Sequence, residues 1–231
     1  MSHDRDRLLE RLLEPWLRSR HTLADLDDTF AEMARLLASR SSGAVGAAVV
    51  GTVAGEDLAF RGVSGSAIDA MADLAQRTGE GPGVAAVRDG TCVHVRVDDE
   101  RDRWPQWVPT ASDSGVGAVC AVPFGLPART LGAVIVYHRA AEVPLPWRHE
   151  ADRVAMLAGV AAERMEFGHQ MRQAMDSRLA IGEAIGVLRS RYRLDHDGAV
   201  AYLKRRSSQS NVKVARVAEQ LVDQEDGVLG R

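Results

Sequence analysis

RLAIGEAIGVLRSRYRLDHDGAVAYLKRRSSQSNVKVARVAEQLV, residues 178–222, decides how the rest of the chain is read. In it Ala184, Leu188, Ala199, Leu203, Val214, Val217 and Leu221 recur at three- and four-residue spacings, which predicts three short helices packed tightly through small side chains. Asp195 and Asn211 stand ahead of the second and third helices and are expected to cap them, since their side chains accept from free backbone N–H groups. Nine bases, Arg178, Arg189, Arg191, Arg193, Lys204, Arg205, Arg206, Lys213 and Arg216, meet only Glu183, Asp195, Asp197 and Glu219. Because the whole chain carries a formal charge of -3, everything outside this stretch is acidic on balance. A split of this kind marks one end that meets an anion, and nucleic acid is the commonest polyanion.

Tyr192 and Tyr202 lie among those bases. Proteins that read RNA hold phosphates with Arg and Lys and stack unpaired bases on aromatic or guanidinium planes, so the composition suits RNA. The same composition also suits a solvated helix face whose tyrosines are core. Both readings stand at this point.

Working outward, a helix begins near Trp147 and runs with no proline through Arg153, Leu157, Ala161, Met165, Met171, Met175 and Leu179 into the basic stretch. Arg164, Gly168 and Arg178 interrupt any strict heptad, which predicts a bundle rather than an extended coiled coil. Upstream, Gly43–Val53 reads as a buried strand, Asp57–Gly65 as its hairpin partner and Ile68–Arg77 as a helix. Gly79–Gly83, GEGPG, is a turn cluster before a short helical AAV. In GTCVHVRVDD, Cys92, His94 and Arg96 fall on one strand face and Val93, Val95 and Val97 on the other. WPQWVPTASDSG reads as a loop with a helical turn, and GVGAVCAVPFG and TLGAVIVYHR as two more strands. Two helices precede the strands: Arg7–Ser19, with a Leu-rich stripe that needs a partner, and Thr22–Ser39, with Leu26, Phe30, Met33, Leu36 and Leu37 on its buried face.

Hydrophobic residues at 45% and charged ones at 26%, without low-complexity tracts, indicate a globular protein long enough for one large domain or two small ones. No apolar run approaches the roughly 20 residues of a membrane span and the N-terminus has no signal-peptide core, so a cytoplasmic protein is expected. Cys92 and Cys120, both in apolar runs, read as small buried hydrophobes and exclude a paired-cysteine metal site. No metal site, phosphate loop, HExxH or Ser-His-Asp order is present, and no enzyme is expected.

These motifs resemble two families in tandem. Residues from about Asp25 to Met165 are similar to a GAF domain of the actinobacterial type, through GEGPG, the pair Trp104-Pro105, AVPF at Ala121–Phe124 and LGAVIVYHR at Leu131–Arg139. Residues from about Phe167 to Asp223 resemble an ANTAR domain, the RNA-binding module of antitermination regulators, at Ile181, Ala184, Gly186, Leu188, Ala199, Leu203, Lys204, Val217, Ala218, Leu221 and Val222. Three positions depart from the families. Ile185 stands where ANTAR has Lys, Val200 where it has an aromatic, and Gly83 where close GAF relatives usually carry Cys. The resemblance implies an α+β architecture in which a GAF domain (antiparallel sheet with flanking helices) is joined by a long helix to an all-α three-helix module. The expected divisions are an N-terminal amphipathic helix over 1–22, a GAF sensor over 23–165 and an ANTAR domain over 166–226.

It further implies a signal-responsive homodimer that binds tandem stem-loops in nascent RNA, so that a terminator does not form. The RNA-binding residues would be Arg189, Arg191, Arg193, Tyr202, Lys204, Arg205, Arg206, Lys213 and Arg216. A GAF ligand pocket, largely apolar with a few polar groups, would draw on His94, Trp104, Trp107, Cys120 and His138, although each also has a plain structural reading. Nothing selects a ligand or cofactor. Two other functions remain open: a DNA-binding regulator, since helix three opens Asn211-Val212-Lys213, and a protein-interaction module that has lost RNA binding at Ile185 and Val200.

Overall fold

The computed structural model describes residues 22–229 except 41, 54 and 127, so the Leu-rich segment expected as a helix at Arg7–Ser19 lies outside the described residues. Two compact units divide after Phe167. The first holds a five-stranded antiparallel sheet, β1 (Ala44–Gly51), β2 (Ala59–Ser64), β3 (Val93–Arg96), β4 (Ala118–Leu126) and β5 (Arg129–His138), in the order β2-β1-β5-β4-β3. Its helices are α1 (Leu23–Arg40), α2 (Ser66–Thr78), α3 (Pro82–Asp89) and α4 (Trp107–Asp113), with a 3-10 turn at Val97–Glu100. The long helix α5 (Leu145–Tyr192) starts in this unit and ends in the second, where α6 (His196–Ser210) and α7 (Val214–Leu229) follow. This is the expected α+β architecture.

Both faces of the sheet are covered, so its strands read as nearly continuous apolar runs although they are antiparallel. Ala47, Val49, Cys120, Phe124, Val134 and Val136 face α1 and the first turns of α5. Ala48, Val50, Val119, Ala121, Ala133, Ile135 and Tyr137 face α2, α3 and α4. Glycine in the strands serves close approach. A Cβ on Gly62 of β2 would stand 2.4 Å from the backbone carbon of Phe30 in α1, and one on Gly132 would stand 2.3 Å from the ring of Phe124. Arg61, with a side chain only 4% exposed, ties the same helix down by ion pairs to Asp27 at 3.1 Å and Glu56 at 2.8 Å.

The GEGPG turn joins the helices of the second face residue by residue. Gly79 ends α2 in the left-handed conformation and donates to Ala75, while Pro82 opens α3, where it gives up no needed N–H. Glu80 accepts from the backbone N–H groups of Gln106, at 2.9 Å, and Trp107, at 3.1 Å, which starts α4. Gly81 has φ +114 and lies against the indole of Trp107, where a Cβ would meet Nε1 at 3.0 Å. The stretch expected as a loop with one turn is therefore a seven-residue helix, capped from 27 residues away.

In the second unit Ala184 and Leu188 of α5, Ala199 and Leu203 of α6, and Val217 and Ala218 of α7 form a separate core. Asp195 caps α6 as expected, its carboxylate accepting from Gly198 N–H at 2.8 Å. Asn211 does not cap α7. It closes α6 at φ +54 with its N–H donated to Ser207, because asparagine tolerates the left-handed region better than most residues.

Gly62→Ala is expected to destabilise the chain by about 1–3 kcal/mol, since the obstructing atoms are backbone of α1 and cannot rotate away. Urea unfolding followed by circular dichroism measures it; wild-type stability would mean that α1 is not seated on β2 at this distance.

Candidate nucleic-acid interface and ligand sites

Once the core of the second unit is satisfied, the bases are left outside. Arg189, Arg193, Lys204, Arg205, Arg206 and Lys213 are all exposed and make no ion pair among the described residues. Arg191 is exposed and engaged, and Arg216 is paired with Glu219 at 2.8 Å on the helix surface. The two tyrosines part company. Tyr202 is half-buried against the core, whereas Tyr192 is 60% exposed at the end of α5. Next to it Arg193 holds φ +50, a conformation that costs a non-glycine residue on the order of 1 kcal/mol. The turn between α5 and α6 thus holds an exposed aromatic ring next in sequence to the exposed Arg193, residue types that stack and neutralise unpaired nucleotides. Of the two positions that depart from the ANTAR pattern, Ile185 and Val200 are both half-buried, and Ile185 packs on the core.

The residues considered for a ligand pocket are not all brought together, because the two tryptophans come from the helical segment that covers one face of the sheet while strand parity turns His94, Cys120 and His138 to the other. Trp104, Trp107 and Tyr137 are buried beneath α2–α4, with ring centroids 5.9 Å apart for the tryptophans and 6.4 Å between Trp107 and Tyr137. Their rings fill that face. At Gly83 a Cβ would come within 2.2 Å of Ile135 Cδ1, so there is no room for a larger residue without displacing that side chain.

Cys120, His94 and His138 belong to the other side, with α1 and α5. His138 is 4% exposed; Ala140 N–H donates to its Nδ1 at 3.1 Å, and its Nε2 has no partner among the described residues and abuts Gly43. It closes the end of β5. Cys120 is buried, and desolvation pushes its thiol up to about 12. Cys92, expected to be buried, is exposed just before the short edge strand β3, and partial burial followed by the charge of Asp152 raises its thiol as well. His94 is exposed on β3, and its imidazole is held below the ordinary value by desolvation and then by the Arg148 guanidinium.

Two openings lie on this side among the described residues. One, of about 430 Å³, lies between Phe124 of β4 and Met156, Gly159 and Val160 of α5. The other, of about 200 Å³, is bounded by His94 and Arg96 of β3, Ala118 of β4, Glu142 and Val143 of the loop after β5, and Arg148 of α5. No motif marks Glu142 or Arg148 in the sequence, since the cavity is assembled from three distant stretches of chain. Among the described residues no cluster of His, Cys, Asp and Glu is placed to hold a metal, and no helix is long and apolar enough to cross a membrane.

Residues 169–222 match the family model of the ANTAR domain. No curated protein matches the chain. Solved structures similar to it include the type II free methionine-R-sulfoxide reductase of Thermoplasma acidophilum, at 12% identity over 62% of this chain and 96% of that one, TM-score 0.47. A GAF domain/HD domain protein of Geobacter sulfurreducens is similar at 15% identity over 64% and 99%, TM-score 0.47. Escherichia coli SdiA is similar at 14% identity over 94% of each chain, TM-score 0.47. Likenesses this slight decide nothing about ligand or activity, and the architecture is argued from strand order and register.

Native protein is expected to expose one thiol to DTNB, Cys92, at a rate that rises with pH as its raised pKa is approached, and two thiols in guanidinium. Rapid reaction of both in the native state would contradict the burial of Cys120.

Proposed function

With an ANTAR domain at residues 169–222 as the premise, we propose that the chain is a cytoplasmic, signal-responsive regulator that binds structured RNA and promotes antitermination, and that it is not an enzyme. The observation that carries this reading is the set of six exposed, unpaired bases on the second unit, with Tyr192 exposed among them. A charged face that served only solubility would be expected to carry compensating acids at three- and four-residue spacings, as Arg216 and Glu219 do. Phosphates would be held by Arg189, Arg193, Lys204, Arg205, Arg206 and Lys213, while Tyr192 takes an unpaired loop base on its ring. Tyr202 serves mainly to hold α6 on the core.

Pairing of two modules is supported by a second feature. From Phe167 to Glu183 no residue of α5 is buried, yet Phe167, Met171, Met175 and Leu179 follow one another at four-residue spacing with 49–65% exposure. A second copy of the chain covers such a row at least cost, and two RNA modules per assembly suit paired stem-loops. The sheet unit is the natural receiver of the signal, being joined to the RNA module by one continuous helix.

Titration of the full-length protein against a two-hairpin RNA and a duplex DNA of matched length, at low and physiological salt, tests the reading. RNA is expected to bind selectively and to lose affinity steeply with salt. Reversing Arg205 and Arg206 to Glu should lower the salt slope by about 1.5 and weaken binding strongly with helicity unchanged. Preference for duplex DNA would replace RNA by DNA as the partner. Salt-insensitive association with neither nucleic acid would leave a protein-interaction module.

A further inference from the structure

The face that holds Trp104 and Trp107 is filled, whereas the cavity of about 200 Å³ between β3 and the start of α5 is open and lined by charge. We propose that this cavity binds a small organic monocarboxylate, gripped by the Arg148 guanidinium with His94 and Arg96 beside it. The proposal rests on the sheet unit alone and is independent of RNA binding.

Arg148 is the anchor. It is half-buried, and its Nε donates to the Val143 carbonyl at 2.9 Å, which fixes the plane of the guanidinium. Its two Nη groups have no partner among the described residues. A planar fork held in this way matches the two oxygens of a carboxylate. Arg96 reaches the same space from β3, and its one ion pair, to Asp99, is long at 3.9 Å. His94 borders the cavity and offers a ring N–H. The charges of Arg148 and, with opposite sign, of Asp152 one turn further along α5 both act on the His94 ring, and neither Asp152 nor Glu142 forms an ion pair with Arg148 among the described residues.

Size and walls narrow the class. About 200 Å³ equals the volume of roughly six or seven molecules of liquid water, which limits the occupant to a small acid, short-chain or aromatic. Ala118, Val143 and Val95 give its hydrocarbon part an apolar wall. Glu142 at the rim opposes a second negative charge, which selects a monocarboxylate over phosphate. Arg148 lies in the first turn of the helix that ends in the ANTAR domain, so an occupant binds sheet and helix together at the point where the helix begins.

The test is a proton NMR titration of the full-length protein with propionate, benzoate, phosphate and chloride at matched ionic strength, following the His94 ring resonance assigned with His94→Asn. Propionate or benzoate is expected to shift it saturably at millimolar concentration or below. The midpoint should rise roughly tenfold or more in Arg148→Gln and stay unchanged in Arg77→Gln, on the other side of the sheet. Absence of a saturable shift with either acid, an unchanged midpoint in Arg148→Gln, or phosphate binding as tightly as the carboxylates overturns the proposal. Should Arg148→Gln lose its fold by circular dichroism, Arg96→Gln carries the same expectation, and an unchanged midpoint there is equally fatal.

Discussion

The contact on which the sheet unit most depends is made by a single carboxylate, that of Glu80, accepting the first free N–H groups of α4 from the far side of the chain. A short helix has too few internal hydrogen bonds to form alone, so its start must be satisfied from outside. Once Glu80 does so, Trp107 is set against Gly81 and packed between Trp104, which meets it edge-on, and the tilted ring of Tyr137, and α2, α3 and α4 become one lid over the sheet. Each glycine of the turn then has a stated task. Gly81 yields to the indole, Gly83 to Ile135, and Gly79 reverses the chain after α2. A lid closed in this way leaves binding capacity to the opposite face.

On that opposite face α5 does two jobs with one surface period. Ala151, Val154, Ala155, Ala158, Ala161, Ala162 and Met165 pack on the sheet, and Glu166, 6% exposed, meets Arg129 at 3.1 Å where this stripe stops. The next buried residue is Ala184, in the core of the second unit. A helix obeying one apolar stripe throughout would be amphipathic along its whole length, whereas α5 is amphipathic in two separate stretches and carries its apolar residues outward between them. The exposed stretch is the surface that the proposed second chain would cover.

How far the sequence foretold this depends on whether a feature is local. Strand alternation is local, so the sides taken by Cys92, His94 and Arg96 against Val93 and Val95 were legible, as was the Asp195 cap. The α4 helix was not, since Pro105 and Pro109 suggest a loop and its cap lies 27 residues away. Asn211 misled because asparagine favours both an N-cap and a left-handed C-cap, and only the backbone angle separates them. Cys92 escaped burial because β3 is a four-residue edge strand. The bases of the second unit could be recognised from charge alone, since surface residues keep their sequence pattern. The pocket candidates could not be joined into a site, because Trp107 lies in α4 over one face of the sheet and Cys120 on β4 faces the other, although both are buried.

The two departures from the ANTAR pattern bear on function through where they sit. Ile185 is half-buried against Ala184 and Leu188's core, where a lysine would have to run its stem along apolar surface to bring its charge to water. Isoleucine there adds to that apolar packing and carries no charge. Six unpaired bases remain on other turns, and an interface dominated by phosphate contacts responds to the number of such charges more than to any one of them. Val200, also half-buried, removes an aromatic from α6, while Tyr192 supplies an exposed ring on the neighbouring turn. If the second unit binds RNA as proposed, a surface altered in this manner would still hold a phosphate backbone and would stack a base from a different place, so the departures argue for a changed RNA preference more than for a lost one.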